Sequence, residues 1–206
     1  MSTGAVPTPV TIRAAVPSDM PSLVGLLRRA FDSDPVITWL LRQDGRRAAA
    51  MDWYFRLSLR MSMPLGHVFV AGATEGMAAW APPDRWGEGR LRHVWELPGF
   101  LRAIGIRRVP AIMPAVMALE ARHPRRPHYY LFEIAVDPGS QGRGIGSALL
   151  RHVLDECDRR NVPAYLESSN PRNNLLYERL GFQITERHPL GGDGPPVWLM
   201  WRDPMS

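Results

Sequence analysis

The sequence contains no lysine: its 25 Lys-plus-Arg positions are all arginine. That absence excludes Schiff-base catalysis through a lysine amine and the lysine-dependent phosphate loop of nucleotide hydrolases. Cysteine is nearly as scarce. The single Cys157 excludes an internal disulfide and a cysteine-built zinc cluster, and its place on the apolar line of a helical pattern makes it a small core residue. No apolar run approaches the roughly 20 residues needed to span a bilayer, and the first residues, MSTGAVPTPVTI, lack a basic stretch followed by an apolar core. A cytoplasmic protein with no membrane partner is expected. The histidines at 67, 93, 123, 128, 152 and 188 show no HxxxH or facial-triad spacing, so no metal is expected. A formal charge of +5 comes from arginines scattered along the chain (Arg28, Arg46, Arg107, Arg125, Arg159) and not interleaved with aromatics. No nucleic-acid partner is expected, although the charge suits a polyanionic small ligand.

With 206 residues, 45% hydrophobic and 22% charged, the chain has the material for one soluble domain with a proper core. Residues 1–9 are small, polar and proline-containing, and are expected to be disordered. A short strand over Val10–Ala14 comes next. Ser18 and Asp19 precede a helical pattern carried by Leu23, Leu26, Leu27, Ala30 and Phe31, which Asp32-Ser33-Asp34-Pro35 breaks. A second helix is expected over Arg46–Met61, then a hairpin of His67–Ala71 and Met77–Ala81 closed by Pro82-Pro83. From about 84 to 127 the composition shifts to Trp, Gly, Pro and Arg. Prolines at 98, 110 and 114 predict short broken helices, read as a helical insertion over the active-site opening or as extra core packing.

The second half carries the chemistry. Tyr129–Val136 predicts a central strand, stopped by Asp137-Pro138-Gly139, and Ser147–Arg160 predicts an amphipathic helix. Between them lies QGRGIG, with three glycines in six residues. Glycines let a backbone turn its N–H groups inward, and the following helix adds its positive end, so the stretch is either an anion cradle or a plain tight turn. A dinucleotide site of the doubly wound type would also place Gly-x-Gly after a strand. Only sixty residues follow Gly146 (206 minus 146), too few to complete such a sheet. Val162–Ser168 predicts another strand, and Asn170-Pro171 a helix start with Gly181 as its stop. Asn173 and Tyr177 then share one helix face. Phe182–Arg187 and Val197–Trp201 predict a closing strand pair.

QGRGIG, the IAVDP strand ahead of it and NNLLYERLGF (NxxxYExLGF, from Asn173) behind it resemble the GNAT (GCN5-related) N-acetyltransferase superfamily. Within it, RAFDSDP, AAWAPPD, HPRRP and PAYLESSNPRNNLLYERLGF are most similar to puromycin N-acetyltransferase-like members. The resemblance runs from about residue 10 to the C-terminus. It implies an α/β fold with a mixed, mostly antiparallel central sheet, splayed between the central strand and the next and flanked by helices, as a single domain over 10–206. It implies acetyl-CoA as cofactor. Its pantetheine arm would lie along Ile134, Ala135 and Val136, and its pyrophosphate on Gln141, Gly142, Arg143, Gly144, Ile145, Gly146 and Ser147, with Asn173 nearby.

The implied activity is direct transfer of the acetyl group to a primary amine of a small molecule, such as an aminonucleoside or another antibiotic-like amine, by a monomer or homodimer. Tyr177 matches the family's general acid. The base is either Glu167, which matches a glutamate of the puromycin-type enzymes, or Glu133, an acid flanked by Phe132 and Ile134 in the central strand; Glu167 is preferred. Phe31, Asp34, Trp39, Tyr54, Trp80 and Tyr129 are candidate acceptor-pocket liners. A non-catalytic acyl-CoA-binding regulatory domain is the alternative.

Overall fold

The computed structural model describes residues 10–83, 85 and 97–205. The stretch 1–9 and the first part of the expected insertion, with Trp86 and Trp95, lie outside the described residues. Seven strands form one sheet: β1 (Ile12–Ala14), β2 (Val68–Ala71), β3 (Gly76–Ala81), β4 (Tyr129–Val136), β5 (Ala164–Ser168), β6 (Gln183–Pro189) and β7 (Pro196–Arg202). Their spatial order is β1-β2-β3-β4-β5-β7-β6. Every neighbouring pair is antiparallel except β4 and β5, which run parallel. This is the mixed, mostly antiparallel sheet expected from the sequence.

Alternating side chains divide the core between the two faces of the sheet. Val68, Val70, Met77 and Ala79 pack under α1 (Met20–Ala30), α2 (Pro35–Leu40), α3 (Arg47–Ser62), α4 (Leu97–Ile104) and α5 (Val109–Glu120). Ala71, Ala78, Trp80, Tyr129 and Leu131 pack against α6 (Ile145–Arg159) and α7 (Asn174–Arg179). Leu149, Leu150, Val153, Leu154 and Cys157 bury the inner side of α6, as their three- and four-residue spacing requires. Burial pushes the Cys157 thiol up to about 12, which makes it inert.

Two local features position the site. First, β5 pairs with β4 only from Tyr129↔Ala164 to Leu131↔Leu166. Beyond that the strands part, so Phe132–Val136 keeps β3 on one side and, among the described residues, has no strand on the other. Second, β4 carries an extra residue: Trp80 pairs with Leu131 and Ala79 with Glu133, leaving Phe132 as a bulge. A bulge shifts the alternation by one. Glu133 thereby leaves the face of Tyr129 and Leu131 and joins the α1–α3 side.

The helices differ from expectation in two places. The break at Asp32–Pro35 is also a start, because Asp34 caps α2 through hydrogen bonds from the Val36 and Ile37 amides (2.9 and 3.0 Å), with Pro35 in the first turn. In the 97–120 stretch, α5 runs unbroken through Pro114. Pro110 occupies the first turn, where its missing N–H costs nothing, and burial of Ile112 and Ala115 holds the helix past Pro114.

Candidate active site

The glycine turn is pinned from β4 outward. Asp137 accepts from the Gly139 amide (3.0 Å) and, on its other oxygen, from Arg29 (2.7 Å). Gly142 and Gly144 have φ of +77° and +80°, the left-handed region in which a side chain is strained. No atom lies within 4 Å of where their Cβ would stand, so the turn faces open space. Gly144 is the N-cap of α6, and the free amides of that first turn, with the helix dipole, favour an anion.

A depression of about 560 Å³ lies in front of the turn. Ile134, Ala135, Val136, Gln141, Gly142, Gly144, Ile145, Gly146, Ser147, Asn173 and Tyr177 all line it. Arg143 does not, because its guanidinium is taken by Glu75 (2.6 Å) and the Ser140 hydroxyl (3.3 Å). Gly76 is a contributor the sequence reading missed: a Cβ there would stand 2.8 Å from Ile145, so its absence lets α6 sit close on β3. Acetyl-CoA fits this geometry in two respects. The splayed edge of β4, with no strand beside it among the described residues, presents its backbone to an extended amide-bearing arm, and the open glycine turn offers amides to a pyrophosphate.

A second cavity of about 310 Å³ adjoins the first and shares Phe31, Asp34, Ile134, Asn173 and Tyr177 with it. Its walls are mostly aromatic and aliphatic and include the expected Phe31, Trp39 and Tyr54. Glu133, Glu167 and Asp34 bring carboxylates to it. Trp80 and Tyr129 are corrected. Both are fully buried on the α6 side of the sheet, where strand alternation sends them, and Tyr129 donates to Glu156 (2.6 Å). The neighbour Tyr130 lines the cavity instead.

The two glutamates have different surroundings. Glu133 is buried, and Ser58 of α3 hydrogen-bonds one of its oxygens. Among the described residues no donor reaches its Oε2. Burial raises this carboxyl to about 7, only partly offset by Ser58. Glu167 accepts from the Tyr165 hydroxyl at Oε1 (3.1 Å) and the Tyr130 hydroxyl at Oε2 (3.4 Å), with His123 Nδ1 at 3.8 Å from Oε1. Burial, and secondly the Asp34 charge, raises the phenol of Tyr177, which stays protonated. The sequence reading missed Ser58, Tyr130 and His123. Nothing in the helical pattern around Ser58 marks it, and no spacing in the sequence pairs His123 with Glu167. Among the described residues no acid, histidine or cysteine cluster could hold a metal ion, and no helix is long and apolar enough to cross a membrane.

Comparison with known proteins places this geometry in context. The sequence model of the acetyltransferase (GNAT) family matches residues 77–182. An uncharacterized N-acetyltransferase of Schizosaccharomyces pombe is 27% identical over 85% of this chain and 76% of its own length. The ribosomal protein bS18-alanine N-acetyltransferase of Escherichia coli is 51% identical over a shorter stretch, 25% of this chain and 37% of its own length. Among solved structures, a histone acetyltransferase HPA2 and related acetyltransferase from Corynebacterium glutamicum superposes with a TM-score of 0.75 at 29% identity, covering 96% of this chain and 97% of that one.

Proposed function

This chain belongs to the GNAT acetyltransferase family, and from that premise we propose that it moves an acetyl group from acetyl-CoA directly to the primary amine of a small, largely apolar molecule. One observation carries the reading. A buried carboxylate with a pKa raised to about 7 and an oxygen that no donor reaches among the described residues, Glu133, lines an apolar cavity that shares Asn173 and Tyr177 with the glycine cradle.

Acetyl-CoA supplies an acyl group activated as a thioester. The chain supplies orientation and proton handling. The amides of Gln141–Gly146 and the start of α6 receive the pyrophosphate, and the free edge of β4 receives the arm. An amine in water is an ammonium, and Glu167 in the second cavity pairs with it. Conversion to an amide removes two protons from that nitrogen. Glu167 takes the first, leaving a neutral nucleophile, and Glu133 takes the second during attack. Tyr177, whose phenol burial keeps protonated, gives its proton to the departing sulfur and is restored from Glu133 across the cavity both line. The carboxylate in hydrogen-bonded surroundings thus serves as the ammonium's counter-ion and the poorly solvated one as base, a division set by environment. Surroundings favour Glu133 over Glu167 as the base of the bond-forming step.

The cavity walls select the acceptor. A volume of about 310 Å³ bounded by Phe31, Trp39, Tyr54, Phe100 and Phe132 suits an aromatic or branched aliphatic amine better than a thin, highly charged chain. The test is thiol release from acetyl-CoA against a panel of primary amines, aminonucleosides included. Turnover with aromatic amines and loss of acetyl-CoA binding in Gly144→Glu are expected. Tight acetyl-CoA binding with no turnover on any amine sinks the enzyme reading in favour of a regulatory acyl-CoA-binding domain.

A further inference from the structure

Acetylation of an ammonium sends one proton to the thiol and one to solvent per turnover. On the reading proposed above, on which this inference rests, the second of these must leave an apolar cavity. Glu167 has neighbours able to carry it. His123 Nδ1 lies 3.8 Å from Glu167 Oε1. The other nitrogen of that ring, Nε2, lies 3.1 Å from His128 Nε2, and His128 Nδ1 lies 2.6 Å from the Arg126 carbonyl oxygen. We infer that Glu167, His123 and His128 form a proton exit that joins the acceptor cavity to a separate surface depression.

The tautomers follow from the partners. A carbonyl oxygen only accepts, so His128 carries its proton on Nδ1 and presents a lone pair at Nε2. His123 must then donate from Nε2, which leaves Nδ1 as the basic nitrogen of the neutral ring, aimed at the carboxylate. A lone pair facing a carboxylate becomes favourable when a proton enters the gap. When Glu167 receives the ammonium's proton, its O–H bond breaks and an Nδ1–H bond forms on His123. The product is an imidazolium that donates to Glu167 on one side and to His128 on the other. Glu167 is again a carboxylate.

The exit lies where the rings end. His123 and His128 line a depression with Glu120, Pro124 and Arg126 that shares no residue with the acceptor cavity. The step from Glu167 to His123 bridges the two: His123 passes its Nε2 proton to His128 Nε2, the His128 Nδ1–H bond breaks as water in the outer depression takes that proton, and exchange with that water returns both rings to their starting tautomers before the next turnover. Two of the rings packed against His123 do not compete for the proton. The Tyr130 and Tyr165 rings stand edge-on to His123 at 4.8 and 5.1 Å, and burial raises both phenols, so each donates to Glu167 and keeps its own proton. Trp201 of β7 packs on His128 at 5.6 Å. Arg126 lies over Trp201 beside Asp203, and Arg122 pairs with Glu186 of β6.

The test uses the full chain, with His123→Ala and His123→Gln; the glutamine keeps an N–H for His128 but cannot exchange a proton. Both variants should lose about 10- to 100-fold in kcat, with KM for the amine and Kd for acetyl-CoA nearly unchanged. Added imidazole should restore His123→Ala, not His123→Gln, and leave the parent protein unaffected. Folded variants with parental kcat and pH profile, or a loss that imidazole does not relieve, overturn the exit. A second readout needs no turnover: ring-nitrogen NMR should show His128 protonated at Nδ1 and His123 nitrogen resonances that move in Glu167→Gln. An Nε2-protonated His128, or a His123 indifferent to Glu167, overturns the inference whether or not the amine panel reacts. Failure of that panel alone, with the NMR pattern intact, counts against the proposed activity.

Discussion

The hydroxyl of Ser169 donates a 2.5 Å hydrogen bond to Asp34 Oδ2 across 135 positions of sequence. Through its other oxygen Asp34 caps α2, so one carboxylate fastens the helix that carries Trp39 to the link between β5 and α7. The acceptor wall and the segment bearing Asn173 and Tyr177 are therefore held at a single point.

Asp34→Ala removes the cap as well as this tie and should cost about 1–2 kcal/mol of stability. Asp34→Asn keeps an oxygen for the α2 amides and should cost much less. Urea denaturation of the two variants compares them; equal losses would show that the cap contributes nothing.

Glu133 makes the activity and the stability respond to pH in opposite directions. A base works deprotonated, so kcat/KM should rise through about pH 7 to a plateau. Glu133→Gln should lose that inflection and about 10²–10⁴-fold in rate. Because the folded carboxyl titrates at about 7 against an ordinary 4.5, the neutral form stabilises the fold below the unfolded value, and this contribution disappears as pH rises through 7. Parent and Glu133→Gln should thus diverge by roughly 3 kcal/mol between pH 4 and pH 8.5, with the glutamine variant relatively more stable at the alkaline end. Chemical denaturation at the two pH values gives the difference.

Tyr177→Phe should lower kcat by about 10- to 100-fold and leave acetyl-CoA affinity within about a factor of two, since only the proton donor is lost. Calorimetry and steady-state rates separate the two effects. A collapse of binding instead would assign the phenol to the cradle.

Away from the site, the fully buried Arg202 of β7 grips Asp158 of α6 with two hydrogen bonds of 2.8 and 2.7 Å and donates from Nε to the Leu180 carbonyl (2.7 Å). Asp158→Ala strands the guanidinium and should cost about 3 kcal/mol, while Asp158→Ala with Arg202→Met should recover most of it. The Arg202 guanidinium holds the Asp158 carboxyl below its ordinary range. That contribution is therefore present above the unfolded value and is lost as the solution is acidified, as acid melting curves of parent and double variant would show.

The cradle could be read in the sequence because its determinants are adjacent: Asp137-Pro138-Gly139 ends a strand, Gly142 and Gly144 take positive φ, and the helix starts at once. The bounds of β4, Tyr129–Val136, came out as expected for the same reason. The α2 helix was missed although its cap and proline were visible, because six residues are too few for periodicity to register. Trp80 and Tyr129 were assigned to the cavity by their aromatic character, yet which way a strand residue points is fixed by pairing with distant strands. Ser58 and His123 meet their glutamates only after α3 and the loop before β4 have packed, a long-range fact with no local signature.

Phe132 has a consequence beyond its own packing. Because it is one residue more than the pairing needs, it works as a parity switch between the two sides of the sheet. Pairing the same strand without the bulge would leave every letter of the chain in place, including both glycines and both glutamates. With Phe132 opposite Ala79, Glu133 would fall opposite Ala78 and face the greasy underside of α6, and Ile134 would move to the amine side. One unpaired position thus decides on which side of the sheet the Glu133 carboxylate stands.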